Sequence, residues 1–148
     1  MSWAGKKSLQ DSFRSLFSKK EQAPSFPVRT AYQLMPQTVI RLDKLIDKWV
    51  EGKGYRMPDK SIEQAAKRIG TDSATLYRYF AGRGEDFRTF RARLRLEDAK
   101  QQLLLDPETP TSTIGKRVGF NDRANFSHQF KAFTGLTPDA WRKSQKRS

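Results

Sequence analysis

A pattern of small and apolar residues that occurs twice in the C-terminal part of the chain restricts the fold more than any other feature. The two copies span residues 61–80 and 113–131. Each has a small residue midway along a short helical stretch, a glycine four positions later, and a large apolar residue in the stretch that follows. Two short helices can cross closely at the small residue, and glycine adopts the positive φ that the turn needs. The repeat therefore predicts two helix-turn-helix units, the first over about residues 61–81 and the second over about 111–134.

Three positions define the helix crossing in the first unit: Ala66, Gly70 and Leu76. Its small core is expected to be completed by Ile62, Ile69 and Phe80. The corresponding crossing positions in the second unit are Gly115, Gly119 and Phe126, and its turn is one residue longer. The core of the second unit is predicted to hold Ile114, Val118, Phe120, Phe130 and Phe133. A single match to this spacing pattern often arises by chance in helical proteins. The prediction therefore depends on the presence of two matches in one chain.

Helical periodicity also accounts for the residues around the two units, and no strand-like alternation extends beyond a few residues. An apolar stripe predicts a helix over residues 37–51, and a connector helix is predicted over about 85–105 with Glu85 and Asp86 in its first turn. Ser61 is predicted to cap a helix, with Gln64 completing a capping box. The predicted fold is all-α, with two helix-turn-helix subdomains joined by a long connector helix.

The balance of charges is strongly basic. The chain has 29 Lys plus Arg against 16 Asp plus Glu, a net charge of +13, and a pI near 10.3. Residues 109–148 alone carry eight basic and two acidic side chains. Such an excess favours a polyanionic partner, either nucleic acid or an anionic membrane surface. A connector of about 21 residues would span roughly 32 Å, close to the ~34 Å of one turn of DNA. Two units so spaced are expected to enter successive major grooves without dimerisation.

The composition excludes several other kinds of function. The chain has no cysteine and a single histidine, His128, so a disulfide, a thiolate metal site or a histidine-based catalytic triad is not expected. It has no phosphate-binding glycine loop and no nucleophile–base pair. We therefore predict a protein that is not an enzyme and needs no metal or cofactor. No apolar run approaches the roughly 20 residues of a membrane span, which favours the cytoplasm and its nucleoid.

The N-terminal segment has a different character. Residues 1–20 carry five basic side chains and one acidic one, with apolar residues at helical spacing. They predict a basic amphipathic helix that docks on the rest of the protein or on a partner, and the alternative is an anionic membrane surface. Residues 21–36 contain three prolines and are predicted to be a linker, and the predicted DNA-binding domain occupies residues 37–148.

Particular residues carry a resemblance to a known family. In the first unit and the connector they are Leu76-Tyr-Arg-Tyr-Phe80, Gly84, Phe87, Phe90 and Leu94-Arg-Leu96. In the second unit they are Val118-Gly-Phe-Asn-Asp122, Phe126-Ser-His-Gln-Phe-Lys131, Thr134-Gly-Leu-Thr-Pro138 and Trp141-Arg142. With these motifs, residues 53–145 resemble the DNA-binding domain of the AraC/XylS family of bacterial transcription regulators. Gly115 departs from the family, because alanine is typical at this position, and glycine would weaken the helix by about 0.5–1 kcal/mol.

The resemblance implies a sequence-specific regulator of nearby promoters, often an activator that contacts RNA polymerase. The first 52 residues are too short for the sensor domain common in the family. The chain is thus expected to be a compact regulator or the cytosolic output domain of a longer, membrane-attached protein. A non-specific architectural DNA-binding protein is the alternative function, and the oligomeric state stays open, with a monomer compatible.

The helical wheel predicts which side chains face DNA. In the first unit they are Ser73, Ala74, Tyr77 and Arg78. In the second unit they are Arg123, Ala124, Asn125, Ser127, His128 and Lys131. Guanine is the expected base partner of arginine and adenine that of asparagine. For Arg78 the alternatives are a salt bridge or a phosphate contact, and for Tyr77 a thymine methyl, a phosphate or burial against the connector. His128 is expected to donate to phosphate or base.

Phosphate contacts are predicted for a second set of side chains near the helix starts and the C-terminus: Thr71, Asn121, Arg142 and Lys143, in addition to Lys131. Arg95 matches the characteristic arginine of the family on the connector. We expect it to form an internal ion pair with a structural role.

Overall fold

The computed structural model describes residues 34–146, and every regular element in this part of the chain is helical. The α-helices are α1 (Pro36–Glu51), α2 (Ile62–Ile69), α3 (Ser73–Ala81), α4 (Phe87–Leu105), α5 (Thr111–Arg117), α6 (Arg123–Thr134) and α7 (Pro138–Lys146). A 3-10 turn, Gly54–Arg56, follows α1. The all-α prediction is confirmed. The predicted N-terminal helix and nearly all of the predicted linker lie outside the described residues.

The described chain divides into two compact units. The first comprises the described residues up to Gly54 together with Asp59–Phe90, and the second comprises Tyr55–Pro58 with the residues from Arg91 onward. None of the helices between residues 34 and 146 combines the length and the apolar character that a membrane span requires.

An aromatic cluster forms the core of the first unit. The ring centroids of Trp49 and Phe87 are 5.5 Å apart, and those of Phe80 and Phe90 are 4.9 Å apart. The predicted crossing residues Ala66 and Leu76 are fully buried in the same unit. The core also includes the apolar stripe of α1. The helix itself begins at Pro36, one residue earlier than predicted, because proline suits the first position of a helix.

The core of the second unit joins α4 to the three helices that follow it. Its buried residues are Leu96, Ala99, Leu103, Ile114, Val118, Phe120, Phe126, Phe130 and Trp141. The prediction that Phe133 belongs to this core is wrong, since its side chain is 37% exposed. Trp141 of α7 closes the end of the core instead, with its ring centroid 5.7 Å from that of Phe130.

Both turns have the backbone geometry that the sequence pattern predicts. Gly70 ends α2 with a φ of +107°, and Gly119 follows α5 with a φ of +117°. These are left-handed conformations, which glycine adopts without the steric penalty of a side chain. The spacing of small residue, glycine and apolar residue thus produced the expected turn in each unit.

The starts of two helices differ in detail from the prediction. The hydroxyl of Ser61 accepts from the backbone N–H of Gln64, as predicted, but the Gln64 side chain accepts from the N–H of Lys60 rather than that of Ser61. Helix α4 begins at Phe87, so Glu85 and Asp86 precede its first turn instead of occupying it. The Asp86 carboxylate caps the helix from there, accepting from the backbone N–H of Thr89 at 2.7 Å.

Gly115 of α5 packs directly against the ring of Phe126 of α6. A Cβ at this position would lie 2.5 Å from Cδ2 and 2.8 Å from Cγ of Phe126. Both atoms belong to a fully buried ring, which cannot move aside without disturbing the core. The departure from alanine that the sequence shows here is therefore a packing requirement, and Phe126 fills the space that an alanine methyl would take.

We expect Gly115→Ala to lower the free energy of unfolding by about 1–2 kcal/mol. Overpacking costs about 1–3 kcal/mol, which exceeds the 0.5–1 kcal/mol that alanine contributes as a better helix former. Urea denaturation followed by circular dichroism measures the change. Gly82→Ala is the matched control, because Gly82 has a φ of −65° and a Cβ there would make only an ordinary contact, 3.5 Å from the nearest atom. A stabilised Gly115→Ala variant would contradict this packing.

Candidate nucleic-acid interface

Helix α3 presents one face to the core and the other to solvent. Leu76, Tyr79 and Phe80 are buried, whereas the predicted DNA-facing residues Tyr77 and Arg78 are exposed. Ala74 is also exposed and Ser73 is half-buried. The alternative in which Tyr77 is buried against the connector is wrong, since its side chain is 53% exposed. An exposed aromatic and an arginine on one helix face suit contacts with bases or phosphates.

Helix α6 is divided in the same way. Phe126 and Phe130 are buried, and the residues that the helical wheel places on the opposite face are accessible. Arg123, Ala124, Asn125, His128 and Lys131 are exposed, and Ser127 is half-buried. Oδ1 of Asn125 accepts from Nε2 of Gln129 at 3.0 Å.

An aspartate caps each of these two helices. The Asp72 carboxylate accepts from the backbone N–H of Thr75 at 2.8 Å and from its hydroxyl at 3.0 Å, and these hydrogen bonds lower the pKa of Asp72. Asp122 accepts from the N–H of Ala124 at 3.1 Å. Sequence reasoning missed both caps, although aspartate directly before a helix is a preferred N-cap and was the available signal. The caps occupy N–H groups that a phosphate at the helix terminus would need.

The four predicted phosphate-binding residues are not equally accessible. Asn121 and Lys143 are exposed. The hydroxyl oxygen of Thr71 is buried and has no hydrogen-bond partner among the described residues, which removes it from a side-chain contact with phosphate in this conformation. Arg142 is half-buried, and its Nη2 donates to the carbonyl oxygen of Asp106 at 3.3 Å. That contact attaches α7 to the end of α4.

A polar network in the second unit holds the segment Tyr55–Pro58 against α4. Arg95 donates from Nε to the carbonyl oxygen of Tyr55 at 2.6 Å and from Nη2 to that of Met57 at 2.9 Å. These contacts support the structural role predicted for Arg95, while its ion pair stays a prediction. Asp98 accepts from the Tyr55 hydroxyl at 3.0 Å and from two nitrogens of Arg56 at 2.6 and 2.9 Å. Burial, followed by the charge of Asp98, raises the pKa of Tyr55.

A similar network lies in the first unit. The Asp43 carboxylate of α1 accepts from the Tyr79 hydroxyl and from Nη2 of Arg83, the latter at 2.9 Å. The guanidinium of Arg83 also lies 4.6 Å from the centroid of the Tyr79 ring. Burial raises the pKa of Tyr79, and the hydrogen bond to Asp43 adds to that effect. This network joins α1 to the C-terminal end of α3 and so orients the helix that carries Tyr77 and Arg78.

The geometry of both units agrees with comparisons to known proteins. A family model described as "Helix-turn-helix domain" matches residues 65–144, which is over half of the chain. The C-terminal domain of the two-component response regulator yesN from Fusobacterium nucleatum superimposes with a TM-score of 0.59 at 27% identity, covering 69% of this chain and 98% of that domain. The C-terminal domain of AraT, a response regulator from Geobacillus stearothermophilus, gives 0.59 at 25% identity, covering 75% and 87%.

Curated relatives are transcription regulators. The uncharacterized transcriptional regulatory protein YesN of Bacillus subtilis is 40% identical over 63 residues, which cover 42% of this chain and 17% of that protein. The ornithine utilization regulator of Pseudomonas aeruginosa is 29% identical over 87 residues, covering 56% and 24%. The chain thus spans about a quarter or less of the length of these relatives. The chain belongs to the helix-turn-helix domain family, and its described part is a DNA-binding domain of the AraC/XylS type found in transcription regulators.

Proposed function

We propose that this protein binds particular sites in double-stranded DNA through both helix-turn-helix units and thereby regulates transcription from nearby promoters, without catalysing a reaction. The observation that carries the proposal is the division of α3 and α6, each with a buried apolar face and an exposed face bearing arginine and other polar groups. The family membership supports the same function, because helix-turn-helix domains place the second helix of the unit in the major groove.

The contacts with bases are assigned to a few side chains. Arg78 on α3 and Arg123 on α6 are the proposed guanine readers, Asn125 is a proposed adenine reader, and Tyr77 and His128 are proposed partners of a base or a phosphate. Ser73, Ala74, Ala124 and Ser127 complete the proposed contact faces. Lys131, Asn121 and Lys143 are the proposed phosphate contacts, because they are exposed on the same unit as α6.

Selection of binding sites from random duplexes by the purified chain tests the proposal. We expect a recovered consensus with affinity at least about 10³-fold higher than that for random duplex, the lower end of the range for specific regulators. A ratio near one would instead assign the chain to the architectural DNA-binding proteins, for which the net charge of +13 would suffice. Footprinting on the selected site should protect two segments about one helical turn apart.

Arg78→Ala and Arg123→Ala are each expected to weaken binding to the selected site by about 1–3 kcal/mol if they read bases. A bidentate contact with guanine is lost on that site only, so binding to random duplex should change much less. Fluorescence anisotropy titrations with both duplexes measure the difference. Equal losses on the two duplexes would reassign the arginine concerned to a phosphate contact.

The place and partners of the protein follow from this function. We place it in the cytoplasm at the nucleoid, where its DNA lies, with RNA polymerase as the partner that an activator would contact. One chain with two units is sufficient for two grooves, so a monomer is the proposed binding form. Residues 1–20 are proposed to dock on the protein or a partner, and co-sedimentation with anionic liposomes, with and without these residues, tests the membrane alternative.

A further inference from the structure

Helix α1 has a row of three basic side chains that are not among the proposed contacts with bases or phosphates. Arg41, Lys44 and Lys48 are all exposed, and their spacing of three and four residues places them along one side of the helix. The opposite side is buried through Leu42 and Ile46. We refer to Arg41, Lys44 and Lys48 as the α1 basic stripe.

The three side chains of the α1 basic stripe make no ion pair in the described part of the chain, although α1 contains as many acidic as basic residues. Its Asp43, for example, points to the other flank and binds Tyr79 and Arg83. The like charges of the stripe destabilise the helix by a few tenths of a kcal/mol for each pair. The opposite charges of Asp47 and Glu51, three residues after Lys44 and Lys48, offset this by a similar amount. The stripe therefore contributes little to the stability of the fold.

The position of the stripe relates it to the DNA-facing edge of the first unit. Leu45 lies over the turn of the helix-turn-helix unit, since a Cβ on Gly70 would be 3.6 Å from its Cδ2. Arg41 and Lys48 are four residues before and three residues after Leu45, so they are its neighbours on the helix surface. The stripe thus borders the turn that leads directly into α3, the helix that carries the proposed base readers.

We propose that the α1 basic stripe binds the phosphodiester backbone of the DNA duplex next to the groove that α3 enters. The proposal rests on the proposed function and adds a third surface to the two recognition helices. Lysine and arginine heads at this spacing suit successive phosphates of one strand, and such contacts contribute affinity without reading sequence. The stripe is expected to raise binding to all duplexes and to leave the ratio of specific to random affinity unchanged.

The test compares the full chain with the triple variant Arg41→Gln, Lys44→Gln and Lys48→Gln. Glutamine keeps the helix and removes the charges, so thermal unfolding is expected at the same or a slightly higher temperature. Affinities for the selected duplex and for a random duplex of equal length are measured between 50 and 200 mM salt. Loss of three phosphate contacts should make the slope of log affinity against log salt shallower by about 2.7. The ratio of the affinity of the unchanged chain to that of the triple variant should therefore change about 40-fold between the two ends of this salt range.

The matched control removes three other exposed charges of the first unit, with Lys53→Gln, Lys60→Gln and Arg88→Gln. It has the same net charge as the triple variant and should keep the original slope. An unchanged slope in the triple variant, or equal changes in both variants, overturns the proposal, as does a loss confined to binding of anionic vesicles. If the unchanged chain shows no preference for any sequence, the proposed function fails, but the difference in slopes on random duplex still tests the stripe.

Discussion

Gly119→Val is expected to unfold the second unit under conditions in which the unchanged chain is folded. Gly119 has a φ of +117°, where a β-branched residue is strained by about 1–3 kcal/mol. An added Cβ would also lie 2.6 Å from Nε of Arg95 and 2.9 Å from the carbonyl oxygen of Arg56. Arg95 is buried and hydrogen-bonded, so relief of this overlap costs a further 1–3 kcal/mol or so. The sum is comparable with the whole stability of a small domain.

The indole N–H of Trp141 provides a specific signal for this unfolding, because Trp141 is buried in the core of the second unit. In a nitrogen–proton correlation spectrum of Gly119→Val, this signal is expected at the position typical of unfolded chains. Gly135→Val is the control, since Gly135 has a φ of +90° but open space around its Cβ. It isolates backbone strain from overlap and should cost only the first of the two contributions. An unchanged melting curve for Gly119→Val would refute the turn geometry.

Asp98→Asn is expected to lower the free energy of unfolding by about 3 kcal/mol. The Asp98 side chain is 3% exposed and accepts hydrogen bonds from Tyr55 and Arg56. Asparagine has nearly the same shape, but its amide group turns two donors toward the donors of its partners. The guanidinium of Arg56 also loses its counter-charge, although its 24% exposure to water reduces that part of the loss.

Glu97→Gln is the control for this measurement. Glu97 precedes Asp98 on the same helix and pairs with Lys100 at 3.7 Å, with both side chains about one-third exposed. Exposed pairs of this kind contribute about 0–1 kcal/mol. Urea denaturation should therefore separate the two variants by about 2 kcal/mol or more. Similar losses for both would mean that the network around Asp98 contributes no more than an ordinary surface pair.

The parts of the fold that sequence reasoning predicted correctly depend on local rules. Gly70 and Gly119 could be assigned to turns because positive φ is a property of one residue. The buried and exposed faces of α3 and α6 follow from helical periodicity alone. The same rule misplaced Phe133, because the covering of a helix face depends on which other helix packs there, and Trp141 of α7 packs on Phe130 rather than on Phe133.

The polar networks could not be predicted from the sequence for a related reason. Asp98 binds Tyr55 and Arg56, which are more than forty residues away along the chain. No spacing rule connects such residues, and an acidic residue beside Ala99 on the connector has the appearance of an ordinary surface charge. In the candidate site, the caps Asp72 and Asp122 could have been predicted from the known preference for aspartate at the N-cap. The burial of the Thr71 hydroxyl could not be predicted from the sequence, because it depends on tertiary packing.

The assignment of Tyr55–Pro58 to the second unit affects how the protein can be divided for experiments. These four residues lie in the chain between α1 and α2, yet their hydrogen bonds are with Arg95 and Asp98. No single cut in the polypeptide can separate two intact halves. In a fragment beginning at Arg91, the buried side chains of Arg95 and Asp98 would lose their hydrogen-bond partners in Tyr55–Pro58. Each recognition helix is therefore best studied by substitutions in the uncut protein.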